Sequence, residues 1–302
     1  MGRSIGVVMT NDITAGLIED RQLIGALRRY PEDPDELHGL VDLPTDELVD
    51  VICDLITALK PQGDAAAEKL DAIGIALPGI VRAGIVEDSP NLGQLKGAKI
   101  SQKVEAVLHT RGIKAPISLF NDADAAAAGV AATRNLLDKV VRVWTLGNGI
   151  GFGRYPDAEG PFEGGHTVVS LDPKERFCGC GGVGHLEGIV GHRAMRLRFM
   201  DMEPDEIFAN AKNGDQRCAD FVKRWHRALA AGTATSIHLE GPGRFYLTGL
   251  NIGFLDVELL KQDLWDMVKM SPLQSYSVEK LPETPGIAVI GAGTAAELGQ
   301  TR

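Results

Sequence analysis

The chain has 302 residues, 44% of them apolar and 24% charged, and a formal net charge of −10. These are ordinary globular values for one large or two medium domains, and the acidity argues against nonspecific binding to nucleic acid. Its four cysteines do not make a disulfide framework. With no apolar run of 18 residues and no charged-then-apolar leader, neither a membrane partner nor secretion is expected, and a cytoplasmic location follows.

Residues 4–9 (SIGVVM), TNDIT and AGLIED read as a strand, a tight polar turn and a returning strand, opening a sheet with a hairpin. Residues 22–30 fit a third strand or a short helix. A polar, proline-punctuated connection follows at 31–44. From Thr45, Leu48, Val51, Ile52, Leu55, Ile56 and Leu59 recur at helical spacing, with Cys53 expected as a small core residue. DAIGIALPG is a buried strand ended by Pro78–Gly79, and a hairpin and a helix over 100–109 come next.

APISLF at 115–120 is a strand running into NDADAAAAG, which proposes a helix starting near Asp122. A further strand at 139–146 leads into GNGIGFG. The region 186–239 is helix-rich, with a long helix around 219–238. RFYL at 244–247 is a strand ending in TGLN, 257–269 is helical, and 287–290 is read as a last strand feeding a C-terminal helix. Strands alternating with helices after an initial hairpin give an α/β chain with a mixed sheet. The Gly-punctuated ends GNGIGFG and TGLN offer backbone amides of the kind that cradle phosphate.

The stretch 163–187, EGGHTVVSLDPKERFCGCGGVGHLE, carries His166, Cys178, Cys180 and His185. Two thiols and two imidazoles are the number and type of ligand that close a tetrahedral zinc shell. The alternative is a Gly-rich surface loop with two incidental thiols. A zinc knuckle for nucleic acid would need basic and aromatic neighbours, and few are present. Glu163 and Glu187 flank the set. His192, His226 and His238 fall in helical stretches and are read as surface or core residues; Trp144 and Trp225 are read as packing residues.

Together these pieces resemble the ROK family of sugar kinases and sugar-responsive repressors over nearly the whole chain. The resemblance lies in IALPGIV…SPNL at 75–92, NDADAAAAG at 121–129, LGNGIGFG at 146–153 and VIGAGTAA at 289–296. Its most specific part is the block 163–187. It implies the two-domain actin/hexokinase-like (ribonuclease H-like) α/β fold with an interdomain cleft. The smaller domain is expected over 1–117 with 286–302, and the larger, carrying the zinc loop, over 118–285.

The resemblance also implies roles. Asp122 would be the general base that takes the proton from a sugar hydroxyl; the competing reading is a helix N-cap. Gly79, Asn91, Asn121, Asp122, Glu163, His166 and Glu187 would line the sugar site. The nucleotide phosphates would meet Thr10, Asn11 and Asp12 of a first turn, Gly147, Asn148 and Gly149 of a second, and Gly249. Zinc would be structural, shaping the sugar wall through His166, and MgATP would be the co-substrate. A homodimer is implied by the family alone.

Two departures stand out. His185 replaces the family's third cysteine, which zinc accepts. The first phosphate turn, D-x-G-G-T in the family, falls on Val8, Met9, Thr10, Asn11 and Asp12. The acid and both glycines are gone, and Asp12 brings a charge that would repel phosphate. The expected function is therefore transfer of a phosphoryl group from ATP to a hydroxyl, the 6-hydroxyl foremost, of a hexose or amino-hexose. The alternative is a catalytically silent sugar-binding pseudokinase or sensor. A repressor is disfavoured, because the first strand begins by Ser4 and leaves no room for a DNA-binding helix-turn-helix.

Overall fold

The computed structural model describes residues 2–33, 39–61, 69–156, 162–282 and 284–299, and part of the connection expected at 31–44 lies outside them, at 34–38. The chain divides into two units: Met1–Val141, Gly153–Pro161 and Thr284–Arg302 in one, Arg142–Phe152 and Phe162–Glu283 in the other.

The first unit opens with β1 (Arg3–Met9), β2 (Ile13–Glu19) and β3 (Gln22–Tyr30). Met9 pairs with Ile13, so the reversal is confined to Thr10, Asn11 and Asp12. The segment left open between strand and helix is a strand, with Tyr30 opposite Ile13 and Gln22 opposite Glu19. Helix α1 (Thr45–Leu59) buries Leu48, Val49, Ile52, Cys53 and Ile56 on one face. Burial pushes the Cys53 thiol up to about 11, which makes it the inert core residue expected.

Then come β4 (Ala72–Leu77), the hairpin β5 (Ile80–Arg82) and β6 (Ile85–Asp88), α2 (Ile100–Thr110), β7 (Ile117–Asn121) and α3 (Asp122–Thr133). The sheet order is β3-β2-β1-β4-β7. Strand β4 runs parallel to β1 and β7 parallel to β4, so the sheet is mixed, as the opening hairpin implied. The boundary expected at 117/118 falls inside this unit, because β7 completes its sheet.

The second unit holds β8 (Val141–Leu146), the start of β9 (Ile150–Tyr155), α4 (Glu187–Val190), α5 (His192–Arg198), α6 (Pro204–Lys212) and α7 (Gln216–Glu240). It continues with β10 (Arg244–Thr248), α8 (Val257–Met267) and β11 (Ser277–Lys280), and its sheet order is β11-β10-β8-β9. The sequence gives no warning of β11, which is short and polar (SVEK). Trp144 and Trp225 are fully buried in the core of this unit, as expected of packing residues. None of the described helices is long and apolar enough to cross a membrane.

The last element corrects an expectation. Residues 287–290 are not a strand but lie inside one helix, α9 (Pro285–Glu297). Tertiary packing decides this. A Cβ on Gly6 of β1 or Gly74 of β4 would come within 1.9 Å of the carbonyl oxygens of Val289 and Ala292, so both strands are pared down to seat the helix. On its other flank, Gly291 and Gly129 bring α9 and α3 into backbone contact. A Cβ at either position would lie 1.8 Å from a carbonyl of the other helix, Ala125 or Ile287. Helix α3 meets it with a run of buried alanines. The β-branched VI pair favours a strand locally, and the close helix packing overrides that preference.

Candidate active site and metal loop

In the first unit the junction of β7 and α3 is built around Asn121. Its Oδ1 accepts from the backbone N–H of Ala123 at 2.9 Å and of Asp124 at 3.3 Å, so Asn121 is the N-cap of α3. Asp122 is the first helical residue, and the capping role weighed for it belongs to its neighbour. The Asn121 Nδ2 donates to the carbonyl of Gly79 at 2.9 Å. Gly79 sits at φ 114°, with Asp88 O only 2.2 Å from where a Cβ would be, a position that glycine alone fills without strain.

Ser89 Oγ donates to Pro78 O at 2.7 Å, closing the same corner. Asn91 is exposed two residues further on. The sequence-predicted Gly79, Asn121 and Asp122 thus share one corner of the unit, with Asn91 on the adjoining turn. Internal bonds leave the Asn121 amide one N–H for another partner.

The first turn is stabilised from within. Thr10 N–H donates to Asp12 O at 2.9 Å, and Thr14 Oγ1 donates to the Asp12 carboxylate at 3.3 Å. Arg29 of β3 forms an ion pair with the same carboxylate. Val8 is buried within β1, opposite Thr14 of β2.

In the second unit, Gly147, Asn148 and Gly149 join β8 to β9, and Gly147 N–H donates to Gly149 O at 3.0 Å. The carbonyls of this loop are taken by α5: Gly147 O accepts from His192 N–H at 3.0 Å and Asn148 O from Arg193 N–H at 3.4 Å. Asn251, fully buried, donates its side-chain amide to Gly147 O at 3.2 Å and to Val190 O at 3.3 Å. Its Oδ1 accepts from His192 Nδ1 at 2.8 Å.

Gly249, at φ 105°, lies against the backbone of Leu146, within 3.0 Å of where a Cβ would stand. The GNGIGFG and TGLN loops therefore meet. The sequence reading did not single out the Asn251 side chain, and it took His192 for a surface or core residue. Asn251 is itself the last residue of TGLN, a loop read only for its backbone amides, and His192 carried no signal.

Glu187 opens α4 and ties two loops together. Its Oε2 accepts from Ile150 N–H and its Oε1 from Gly179 N–H, each at 3.2 Å, with the Cys178 thiol 3.2 Å from Oε1. A Cβ on Gly149 would stand 2.7 Å from Glu187 Oε2, so a side chain there would displace that carboxylate. Glu163 is exposed at the start of the 3-10 turn that carries His166, whose N–H donates to Glu163 O at 2.9 Å.

The metal loop fits the group expected of it. Ligand atoms of His166, Cys178 and Cys180 all lie within 4.8 Å of one another, and two sulfurs with an imidazole are zinc donors. His185 lies outside that group of three but beside it, with Nδ1 3.3 Å from Cys180 Sγ and its ring stacked on His166 at 5.2 Å. Burial pushes the Cys178 thiol well above its ordinary value, and burial together with the neighbouring His166 lowers that of His185. A metal ion would offset the first effect and is helped by the second, since zinc binds thiolate and neutral imidazole.

The loop is also anchored away from these side chains. Glu175 is 5% exposed and pairs with Arg198 and Arg224. Burial alone would raise its carboxyl, but the two guanidinium groups outweigh it and hold it below the usual range.

A sequence profile of the ROK family matches residues 32–275, and the chain belongs to that family. The match begins after the first turn. The glucokinase of Pyrobaculum calidifontis is 28% identical over 209 residues, 64% of this chain and 67% of its own. Among solved structures, a ROK hexokinase from Thermus thermophilus superposes with a TM-score of 0.78 at 21% identity, over 98% of both chains. A ROK glucokinase from Streptomyces griseus, crystallised with glucose and AMPPNP, gives 0.72 at 22% identity, over 99% of this chain and all of that one. The fold is the two-domain actin/hexokinase-like fold of these proteins.

Proposed function

We propose that the protein is a sugar kinase that moves the terminal phosphoryl group of MgATP to a hydroxyl, the 6-hydroxyl foremost, of a hexose or amino-hexose. The observation that carries this reading is the division of labour at the start of α3: Asn121 caps the helix, so Asp122 is not needed for that task. In the proposed reaction the sugar hydroxyl oxygen forms the new bond to phosphorus. The bond from phosphorus to the bridging oxygen breaks, ADP leaves, and the hydroxyl proton passes to an Asp122 carboxylate oxygen.

Gly79, Asn91, Asn121, Glu163, His166 and Glu187 would orient the sugar through its other hydroxyls, as the family resemblance implies. Phosphates would be met by backbone amides at Gly147, Asn148, Gly149 and Gly249 and by the turn Thr10–Asp12. Zinc, held by His166, Cys178 and Cys180 with His185 beside them, would supply rigidity to the loop. His166 would give one ring nitrogen to the metal and keep the other for the sugar. We infer a cytoplasmic homodimer, following the family.

One observation favours a second reading, a sugar-binding protein without catalysis. The turn Thr10–Asp12 lacks the paired glycines and the acid of the family pattern, and buried Val8 stands where the acid would be. Titration calorimetry with a panel of hexoses and amino-hexoses, with and without MgATP, followed by a phosphorylation assay on each sugar that binds, separates the two. Turnover on at least one sugar supports the kinase; sugar binding with neither nucleotide binding nor turnover supports the silent binder.

A further inference from the structure

The turn between β1 and β2 poses a problem of charge. An aspartate at position 12 would repel the phosphates of any donor approaching Thr10 and Asn11, both of which are exposed. The structure shows how that charge is met. Asp12 is held from two sides, by the Thr14 hydroxyl and by the guanidinium of Arg29.

Strand pairing brings these groups together. Thr14 and Arg29 are directly opposed on β2 and β3, and Asp12 lies two residues before Thr14. The Asp12 side chain is 15% exposed, while that of Arg29 is 45% exposed. A guanidinium carries five N–H donors in a fixed fork. One that satisfies a mostly buried carboxylate with part of the fork, and keeps nearly half its surface in solvent, can accept a second anion.

We propose that Arg29 is a donor-binding residue. It cancels the Asp12 charge and presents its remaining N–H groups to the phosphate chain of the phosphoryl donor. This deepens the kinase reading and rests on it for the placement of the phosphate turn. The ligand class is a linear polyphosphate, either the triphosphate of a nucleotide or an inorganic polyphosphate, and the shared element is a run of phosphates with two or more charges. Where backbone amides freed by paired glycines would otherwise meet the phosphate, this chain would use a side-chain cation braced by an acid. The arrangement needs β3 as an edge strand next to β2, which it is.

The test is a double-mutant cycle on donor binding. The Kd of MgATP and of tripolyphosphate is measured by calorimetry without sugar, for wild type, Arg29→Gln, Asp12→Asn and the double variant. Melting temperatures check that each is folded. Wild type is expected to bind at least one of the two ligands. Arg29→Gln should bind it about tenfold more weakly, the worth of one charge-assisted hydrogen bond. Asp12→Asn should bind as tightly as wild type or tighter, and the double variant should recover part of the loss seen in Arg29→Gln.

Unchanged binding in Arg29→Gln overturns the assignment, as does a wild type that binds neither ligand. Loss of binding in Asp12→Asn also overturns it, and would make Asp12 the acid that holds the metal of the nucleotide. Should Arg29→Gln fail to fold, Asp12→Asn decides alone. Sugar phosphorylation is scored separately. Donor binding that depends on Arg29, with no sugar phosphorylated, keeps the assignment and removes the kinase; phosphorylation indifferent to Arg29→Gln does the reverse.

Discussion

The side-chain amide of Asn251 lies 3.2 Å from the carbonyl oxygen of Gly147, 104 residues away in sequence. The same amide reaches Val190 O at 3.3 Å, and its oxygen accepts a hydrogen bond from His192 Nδ1 at 2.8 Å. One buried side chain thus fixes the loop after β8, the end of α4 and the start of α5 against each other. Asn251→Ala would leave the partners of these bonds short of an acceptor or donor, and is expected to cost about 3 kcal/mol of stability. If the loop holds phosphate, MgATP affinity should fall while sugar affinity is kept. Denaturant titration and calorimetry on the same preparation check both effects.

Glycine at 291 is expected to be indispensable. Its missing side chain lets α9 lie against Ala125 of α3, where a Cβ would stand 1.8 Å from a backbone oxygen. The neighbour is backbone and cannot swing aside, so Gly291→Ala should destabilise the protein by about 3 kcal/mol. A thermal melt of the variant shows it, and an unchanged midpoint would mean that the helices can separate at little cost.

His226 makes stability depend on pH. It is 1% exposed, its Nδ1–H donates to Val222 O at 2.8 Å, and its Nε2 accepts from Asp256 N–H at 2.9 Å. Burial lowers its pKa, more than the carbonyl of Val222 and the carboxylates of Asp256 and Asp263 raise it. The unfolded chain therefore binds this proton more readily than the folded one. Stability from the neutral ring is complete above the unfolded value near 6.5 and is lost as pH falls from about 6.5 toward the folded value. Denaturant midpoints at pH 7.5 and 5.5 should differ more for wild type than for His226→Gln.

The metal loop should hold one zinc per chain by elemental analysis. Cys178→Ser with Cys180→Ser should abolish it, since both sulfurs belong to the convergent group with His166. His185→Ala should retain the stoichiometry with affinity lowered about 10- to 100-fold, whether His185 closes the shell or supports Cys180 from its side. Competition with a chromophoric chelator gives the affinities. Removing zinc should leave the middle of the loop attached, because Glu175 is bound to Arg198 and Arg224.

Much of this was legible in the residues. The hairpin, α1, the strand-to-helix junction at Asn121 and the convergence of His166, Cys178 and Cys180 each carry a local signal of period, cap or spacing. What escaped depends on contacts distant in sequence. The VIGAG run looks like a strand until Gly6, Gly74 and Gly129 are seen to clear space for it as a helix.

Asn121 and Asp122 are equally good caps by type, and only backbone geometry assigns the cap to Asn121. The departure of the first turn from the family pattern could be read, but the cation that answers it could not. Arg29 meets Asp12 through the register of a third strand whose very type was open. Glu187 was read as a sugar ligand from the family resemblance. Its role as a clasp between Ile150 and Gly179 needed coordinates.

The central claim, catalysis by Asp122, is tested most directly by phosphoryl transfer from MgATP across the hexose and amino-hexose panel, comparing wild type with Asp122→Asn. The account predicts turnover on at least one sugar, reduced about 10²- to 10⁴-fold in the variant with sugar affinity retained. Wild-type protein that binds a sugar yet transfers no phosphoryl group to it, or a variant as active as wild type, would contradict it.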